Sequence, residues 1–136
     1  MSLKKNIIAL RQKKAIVEKG GGDKALEKQI AMGKMPARVR ILALLDEGTF
    51  HEYDMFVEHE EQNFGMANKE LPGDGVITGT GTIYGAPVCI YAQDFTVMGG
   101  SLGLKHARKI TKIMDHALKM KIPCIGINDS GGARIQ

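Results

Sequence analysis

The sequence predicts an α/β fold in which a helical arm precedes a strand-rich domain. The first 48 residues have the pattern of helices separated by glycines, whereas from Thr49 onward short β-branched segments alternate with glycine. Near the end of the chain a strand, a long amphipathic helix and an apolar strand follow one another, which is the order of a βαβ unit. We therefore divide the chain into an arm at residues 1–48 and a domain at residues 49–136.

Three helices are predicted in the arm. Residues 3–19 place apolar side chains among Lys, Arg and Glu at loosely helical spacing, which predicts an exposed amphipathic helix. Three glycines end it, and Asp23 is the expected N-cap of a second helix that runs to Met32. Pro36 is expected in the first turn of the third helix. The expected apolar face of that helix comprises Val39, Ile41, Leu42, Leu44 and Leu45.

The domain begins with strands and ends with the βαβ pattern. Residues 50–57 predict one strand, and residues 75–84 and 86–93 predict an antiparallel hairpin. A helix is expected from about residue 104 to 120. Its expected apolar face comprises Ala107, Ile110, Ile113, Met114, Ala117 and Leu118. Residues 123–128 are apolar up to Asn128, so we expect them to form a strand buried within a parallel sheet.

Composition narrows the classes of function. With 136 residues, 43% hydrophobic and 25% charged, the chain has the composition of an ordinary globular domain. Its formal net charge of +4 suits an anionic ligand, but the basic residues lack the aromatic interleaving of a nucleic-acid surface. No apolar run approaches the roughly 20 residues that cross a bilayer, and no signal peptide is apparent. We expect a cytoplasmic protein with no nucleic-acid partner and no membrane insertion, and with Cys89 and Cys124 as buried thiols.

The C-terminal run is the strongest candidate site. Asn128 ends the last predicted strand and opens into a glycine loop, and ligands collect at the carboxyl ends of strands in open α/β sheets. The backbone N–H groups of Gly131, Gly132 and Ala133 are candidate donors to an enolate or oxyanion. Arg134 is a candidate ligand for a phosphate or carboxylate. A simple turn into a helix, with Asp129 or Ser130 as its cap, remains an equally open interpretation.

A second glycine loop carries a weaker signal. Gly99, Gly100 and Ser101 follow a strand and precede the long helix, so their amides are candidate anion ligands. Ordinary turns between a strand and a helix have the same pattern. The four histidines are expected at surface or packing positions, and no metal site is predicted. No Ser/His/Asp, Cys/His or paired-carboxylate set emerges, which argues against a side-chain nucleophile.

Several longer motifs resemble one family. They are residues 33–41 (GKMPARVRI), 44–46 (LLD), 73–79 (GDGVITG), 92–103 (AQDFTVMGGSLG) and 128–136 (NDSGGARIQ). Together they resemble the β-type carboxyltransferase subunits of propionyl-CoA and related acyl-CoA carboxylases, and the α subunits of methylmalonyl-CoA and glutaconyl-CoA decarboxylases. The resemblance covers almost the whole chain.

The resemblance implies a crotonase-like fold and a biotin-dependent reaction. In this family the N-terminal domain binds an acyl-CoA ester, and the C-terminal domain of a neighbouring subunit holds carboxybiotin. Biotin arrives on a separate carrier domain, and biotin carboxylase and biotin carrier subunits are the implied partners of a homo-oligomeric, hexameric parent. The family pattern continues beyond Gln136 into a second glycine pair. We therefore expect residues 49–136 to be the first half of a crotonase-like domain, inactive by itself.

When the family's motif is matched residue by residue, the resemblance implies that the loop from Ser130 to Arg134 binds the acyl-CoA ester. Gly131, Gly132 and Ala133 would lend amides to the thioester oxygen. Gly99, Gly100 and Ser101 would shape the same pocket. The resemblance makes Arg38 and Arg40 candidates for contact with CoA phosphate or for packing of the arm.

Alternative functions remain open at this stage. The decarboxylase branch runs the same chemistry backwards within a sodium-pumping complex, and nothing in these residues separates it from the carboxylase branch. A non-catalytic module that binds CoA esters is a second alternative. A structural or assembly element based on the helical arm is a third.

Overall fold

The computed structural model describes residues 2–136, which form four helices and a four-stranded sheet. The elements are α1 (Leu3–Glu18), α2 (Asp23–Ala31), α3 (Ala37–Leu44), β1 (His51–Tyr53), β2 (Val76–Ile83), β3 (Ala86–Gln93), α4 (Leu104–Met120) and β4 (Cys124–Ile127). Short 3-10 turns lie at Pro72–Gly75 and Met98–Gly100. The α/β class and the helical N-terminal segment are confirmed.

The sheet has the order β1-β2-β3-β4. β2 and β3 form the predicted antiparallel hairpin, in which Ile83 pairs with Ala86. The two-residue loop between them has left-handed backbone at Tyr84 (φ 48°) and Gly85 (φ 78°), as a type I′ turn requires. β4 lies parallel to β3, with Cys124 opposite Cys89, so the predicted βαβ unit is also confirmed.

The sheet is covered by one helix on each face. On one side α3 packs its buried stripe onto alternate residues of β3, and this cluster contains Ala37, Ile41, Leu45, Ile77, Val88, Ile90 and Ala92. On the other side α4 packs Ile113 and Ala117 against Cys89. Because successive strand residues point to opposite faces, β3 contributes to both clusters.

Two helix details in the arm differ from the expectation. Gly22 is the N-cap of α2, and Asp23 is the first helical residue and makes no capping hydrogen bond. In α3 the buried positions are Ala37 and Ile41, followed by Leu45 at its C-cap, whereas Val39, Leu42 and Leu44 are exposed. The contact with the sheet is a single row of residues four apart, which is narrower than the predicted apolar face.

The strand predictions also need correction at three points. β1 covers only His51–Tyr53, because Asp54 has left-handed backbone (φ 56°) that ends the strand. β4 is partly exposed, and Cys124 is an exposed thiol, whereas Cys89 is buried as predicted. β4 occupies an edge of the sheet, so within residues 2–136 no strand pairs with its outer side.

The buried face of α4 is more polar than predicted. Met114 and Leu118 are exposed, while His106 and Lys109 are buried in line with Ile113 and Ala117. These four residues are spaced so that they lie on one face of the helix. A search for apolar residues at helical spacing does not find this face, because two of its four members are polar.

Candidate functional site

Two glycine loops meet at the carboxyl ends of β3 and β4. Gly131 donates its N–H to the carbonyl of Gly99 at 2.9 Å. Leu102 donates to the carbonyl of Gly132 at 2.8 Å, and the N–H of Arg134 donates back to the carbonyl of Leu102 at 3.0 Å. The two segments that the sequence singled out are therefore one paired unit, with a parallel bridge between Leu102 and Ala133.

Gly100 permits the close approach of the two loops. A Cβ at this position would lie 2.3 Å from the carbonyl oxygen of Asp129, and the backbone is left-handed (φ 61°). Only glycine meets both conditions without strain. Gly99 is also left-handed (φ 65°), but a Cβ there would meet nothing within 4 Å.

The three predicted amide donors are not equivalent. The N–H of Gly131 is already bonded to Gly99, and that of Gly132 donates to the hydroxyl of Ser130 at 3.1 Å. The bridge to Leu102 uses the carbonyl of Gly132 and the N–H of Arg134, so the N–H of Ala133 points to the other side of the loop. It has no acceptor among the described residues, and a Cβ at Gly132 would meet nothing within 4 Å. The exposed loop thus presents one donor without an acceptor, on Ala133, and one donor bound to a side-chain hydroxyl, on Gly132.

Arg134 is an internal anchor in this structure. Its side chain is only 5% exposed and pairs with Asp74, which is fully buried. Nη1 lies 2.5 Å from Asp74 Oδ1, and Nη2 donates to the backbone carbonyl of Asp74 at 3.1 Å. Nε donates to the hydroxyl of Ser101 at 3.3 Å. The guanidinium therefore joins the C-terminal loop to the Pro72–Gly75 turn and to the second predicted loop.

The two arginines of the arm are paired with carboxylates. Arg38 forms a bidentate pair with Glu52, at 2.6 and 3.0 Å. Arg40 Nη2 lies 3.0 Å from Asp129 Oδ2, and Lys34 Nζ lies 2.6 Å from Asp129 Oδ1. The arm thus binds the carboxylate at the start of the glycine loop, and both arginines form ion pairs with carboxylates of the described residues.

A buried hydrogen-bond chain behind the loops was missed by the sequence reasoning. His106 Nδ1 lies 2.9 Å from the carbonyl of Asp74, and His106 Nε2 lies 3.3 Å from the amide nitrogen of Gln93. The amide oxygen of Gln93 accepts the N–H of Asp129 at 3.1 Å. A neutral imidazole protonated on Nδ1 satisfies every member of this chain. Burial lowers the pKa of His106, which favours that neutral form.

Lys109 is a buried cation of the same region. Its ammonium donates to the carbonyls of Gly73, at 2.8 Å, and Val76. Burial lowers its pKa from 10.5 to about 8, against the opposing pull of the carboxylates of Glu52, Asp54 and Asp74. The lysine is therefore held by backbone dipoles in a site that disfavours its charge.

The depressed pKa predicts a pH-dependent stability. Between about pH 8 and 10.5 the unfolded chain keeps the proton on Lys109 while the folded chain releases it, so the unfolded state binds more protons and folding becomes more favourable as pH rises. We expect the wild type to gain roughly 1–3 kcal/mol over this interval relative to Lys109→Met. Melting temperatures measured from pH 7 to 10.5 test this. Lys112→Met is the matched control, because Lys112 is exposed. A difference in melting temperature between wild type and Lys109→Met that does not change with pH would contradict the lowered pKa of Lys109.

Neither a metal-ligand cluster nor a bilayer-crossing helix occurs in the described part of the chain. Over residues 2–136, no group of three or more His, Cys, Asp and Glu side chains is placed to hold a metal ion. None of the helices described is both long and apolar enough to cross a bilayer.

Comparisons with a family model and with curated proteins agree on one family. Residues 28–136 match the carboxyl transferase domain family. The chain is 56% identical over 135 residues to the methylmalonyl-CoA decarboxylase subunit alpha of Veillonella parvula, covering 99% of this chain and 26% of that protein. It is 55% identical over 127 residues to the propionyl-CoA carboxylase beta chain of Cereibacter sphaeroides, covering 93% and 25%. The chain thus spans about a quarter of the length of these curated relatives.

The fold has a close counterpart among solved structures. The transcarboxylase 12S crystal structure, described as a hexamer assembly with methylmalonyl-coenzyme A bound, superposes with a TM-score of 0.98 at 43% identity. The match covers 100% of this chain and 27% of that chain. The mixed sheet with its helical N-terminal segment is therefore an arrangement that carboxyltransferase structures share.

Proposed function

This chain belongs to the carboxyl transferase domain family, and we propose that it forms the acyl-CoA side of a biotin-dependent acyl-CoA carboxyltransferase. The parent enzyme would move carboxylate between carboxybiotin and the α-carbon of a short acyl-CoA such as propionyl-CoA. The observation that carries the proposal is the open N–H of Ala133 beside the N–H of Gly132, which is bonded only to a hydroxyl, at the carboxyl end of β4. The names of the relatives, propionyl-CoA carboxylase and methylmalonyl-CoA decarboxylase, support the same substrate class.

The loop geometry suits enolate formation at a thioester. Carboxyl transfer needs negative charge to develop on the thioester oxygen, and N–H donors fixed in advance stabilise that charge without reorganising. Gly132 and Ala133 would supply these donors, since Gly131 is already bonded to Gly99. Ser130 would release the Gly132 N–H when a stronger acceptor arrives, because a charged oxygen outcompetes a hydroxyl.

The described residues near the loop offer no free carboxylate as a base. Asp129 is bound by Lys34 and Arg40, and Asp74 faces inward onto Arg134. This arrangement fits a reaction in which the cofactor brings its own proton acceptor. When bound, carboxybiotin supplies the carboxylate and then a nitrogen that accepts the α-proton. The contribution of this segment is positioning and electrostatic stabilisation.

The finer features of the parent enzyme belong to the same proposal. We assign the domain to the crotonase-like fold, with residues 1–48 as its arm and residues 49–136 as the first half of the domain. We propose a cytoplasmic homo-oligomer, a hexamer like the transcarboxylase 12S core, which works with biotin carboxylase and biotin carrier subunits.

The decarboxylase branch is the second candidate. The chain is 56% identical to the methylmalonyl-CoA decarboxylase subunit alpha and 55% identical to the propionyl-CoA carboxylase beta chain, so identity does not favour one branch over the other. Both branches use the same enolate and the same loop. Their difference lies in the direction of transfer, which would depend on other residues of the parent enzyme and on its partner subunits.

Transfer of a labelled carboxyl group tests the proposal. The intact enzyme that contains this segment is incubated with carboxyl-labelled methylmalonyl-CoA and free biotin, and we expect labelled carboxybiotin and propionyl-CoA in equal amounts. Omission of biotin is the control and should leave the label on the CoA ester. Retained binding of CoA esters without transfer would replace the proposal by a non-catalytic binding module. Loss of both transfer and binding would indicate an assembly element.

A further inference from the structure

The Pro72–Gly75 turn has an unusual backbone. Gly73, Asp74 and Gly75 are all left-handed, with φ of 61°, 50° and 74°. An aspartate in this conformation is strained, and a fully buried carboxylate needs partners that replace water. The partners of this buried carboxylate therefore show what the turn is connected to.

Every acceptor of Asp74 is occupied by α4 or by the C-terminal loop. Oδ1 accepts from Arg134 Nη1, and Oδ2 accepts the backbone N–H of His106 at 2.7 Å. The backbone carbonyl accepts from Arg134 Nη2 and lies 2.9 Å from His106 Nδ1. Asp74 thus joins the N-terminus of α4 to the loop that carries the proposed amide donors.

Gly103 leaves room for this ion pair. Its backbone (φ −118°, ψ 179°) suits any residue, yet a Cβ here would lie 2.4 Å from Arg134 Nη1 and 2.9 Å from Arg134 Cζ. Glycine at position 103 is therefore explained by the guanidinium and not by backbone conformation.

The other end of the loop is tied to the same carboxylate residue. The hydrogen-bond chain from the Asp74 carbonyl passes through His106 and Gln93 to the N–H of Asp129. The loop from Asp129 to Arg134 is thus held at its first residue by this chain and at its last by the ion pair. Between these anchors lie the N–H of Ala133, which has no acceptor among the described residues, and the N–H of Gly132, which donates to the Ser130 hydroxyl.

We propose that Asp74 is a positioning residue, which acts through Arg134 to fix the direction of the Gly132 and Ala133 N–H groups. This inference rests on the proposed function, because it explains how the donors of that reaction are held. Asp74 touches no substrate in this arrangement. Its removal would let the loop turn away from the developing oxyanion, and misplacement by about 1 Å is worth roughly 100-fold in rate.

Two variants and one matched control test the inference in the intact enzyme. Asp74→Asn removes the charge that holds Arg134, while Gly103→Ala displaces the guanidinium without changing either partner. Asp54→Asn is the control, since Asp54 is also a left-handed aspartate (φ 56°) in an ion pair, with Lys112 at 2.8 Å, but follows the outer strand β1. The measurements are kcat, KM for the acyl-CoA, and hydrogen exchange of the peptide that covers residues 129–136.

We expect both test variants to lose about 10- to 100-fold in kcat with KM changed less than about threefold, and to lose protection of that peptide. Asp54→Asn should match the wild type in all three measurements. Should Asp74→Asn fail to fold, Gly103→Ala alone carries the test, because its clash is with the end of one side chain. Wild-type kcat in Gly103→Ala, or unchanged exchange in either variant, would overturn the inference. A wild type that transfers no carboxylate, with exchange still altered in the variants, would instead contradict the proposed function and support the anchoring.

Discussion

Replacement of Gly132 by valine in the intact enzyme is expected to lower kcat for carboxyl transfer about 100- to 1,000-fold, the loss typical of one oxyanion donor. Gly132 has φ of +133°, a conformation that residues with a side chain rarely adopt. Valine would force the peptide units on either side to rotate, and the N–H groups of Gly132 and Ala133 would turn with them. A Cβ at Gly132 meets nothing within 4 Å, so the effect should come from backbone direction and not from a clash.

The control for this prediction is Gly85→Val. Gly85 also has positive φ (+78°), and a Cβ there would likewise meet nothing within 4 Å, but it lies in the β2-β3 turn, away from the glycine loops. This variant should show a comparable loss in melting temperature and retain kcat within about twofold. If Gly132→Val kept wild-type turnover, or if Gly85→Val lost turnover equally, the assignment of the loop as an oxyanion site would be wrong.

Replacement of Ile41 by alanine is expected to lower the free energy of unfolding by about 2–5 kcal/mol, the range for large-to-small substitutions in cores. Ile41 is fully buried and belongs to the cluster that joins α3 to β2 and β3. Its loss would leave a cavity directly between the helix and the sheet. Urea denaturation of the intact protein gives the measurement, with the change read from the midpoint at constant slope.

Leu42→Ala is the matched control in the same helix. Leu42 is 54% exposed and lies outside the buried stripe, so its truncation should cost less than about 1 kcal/mol. Equal effects of the two substitutions would show that α3 does not pack on the sheet as described. The pair therefore tests whether the end of the arm shares the core of the strand-rich domain.

Local signals in the sequence were sufficient for the hairpin and the long helix. The predicted strands at residues 75–84 and 86–93 flank Gly85, and the structure forms a two-residue turn at Tyr84 and Gly85. For α4, the helical spacing of apolar residues between Ala107 and Leu118 predicted a helix from about residue 104 to 120, and the helix covers Leu104–Met120. Both elements are defined by residues within a few positions of one another, which is the range over which periodicity is informative.

The buried polar cluster could not be predicted in the same way. Asp74 and Arg134 are 60 residues apart in the chain, and their pairing depends on how the turn before β2 meets the loop after β4. The burial of Lys109 was not predicted, because hydrophobic patterning assigns charged side chains to the surface. His106 was expected at a surface or packing position, but its hydrogen-bond partners could not be predicted. Arg134 was predicted as a ligand for a phosphate or carboxylate, and in this structure its guanidinium pairs with the carboxylate of Asp74.

The sequence could not show which of the three backbone N–H groups are free to bind a ligand. Gly131, Gly132 and Ala133 are equivalent as small residues, and only the pairing with Gly99 and Leu102 shows which N–H groups remain open. That pairing is a contact between segments about 30 residues apart, set by the parallel arrangement of β3 and β4.

A structure of the intact enzyme with a short acyl-CoA bound tests the central claim most directly. The account predicts that the thioester oxygen lies about 2.7–3.1 Å from the backbone nitrogen of Ala133 or Gly132, with the Gly131 N–H still bonded to Gly99. A thioester oxygen that lies outside hydrogen-bond reach of both nitrogens, while the loop keeps its pairing with Gly99 and Leu102, would contradict it.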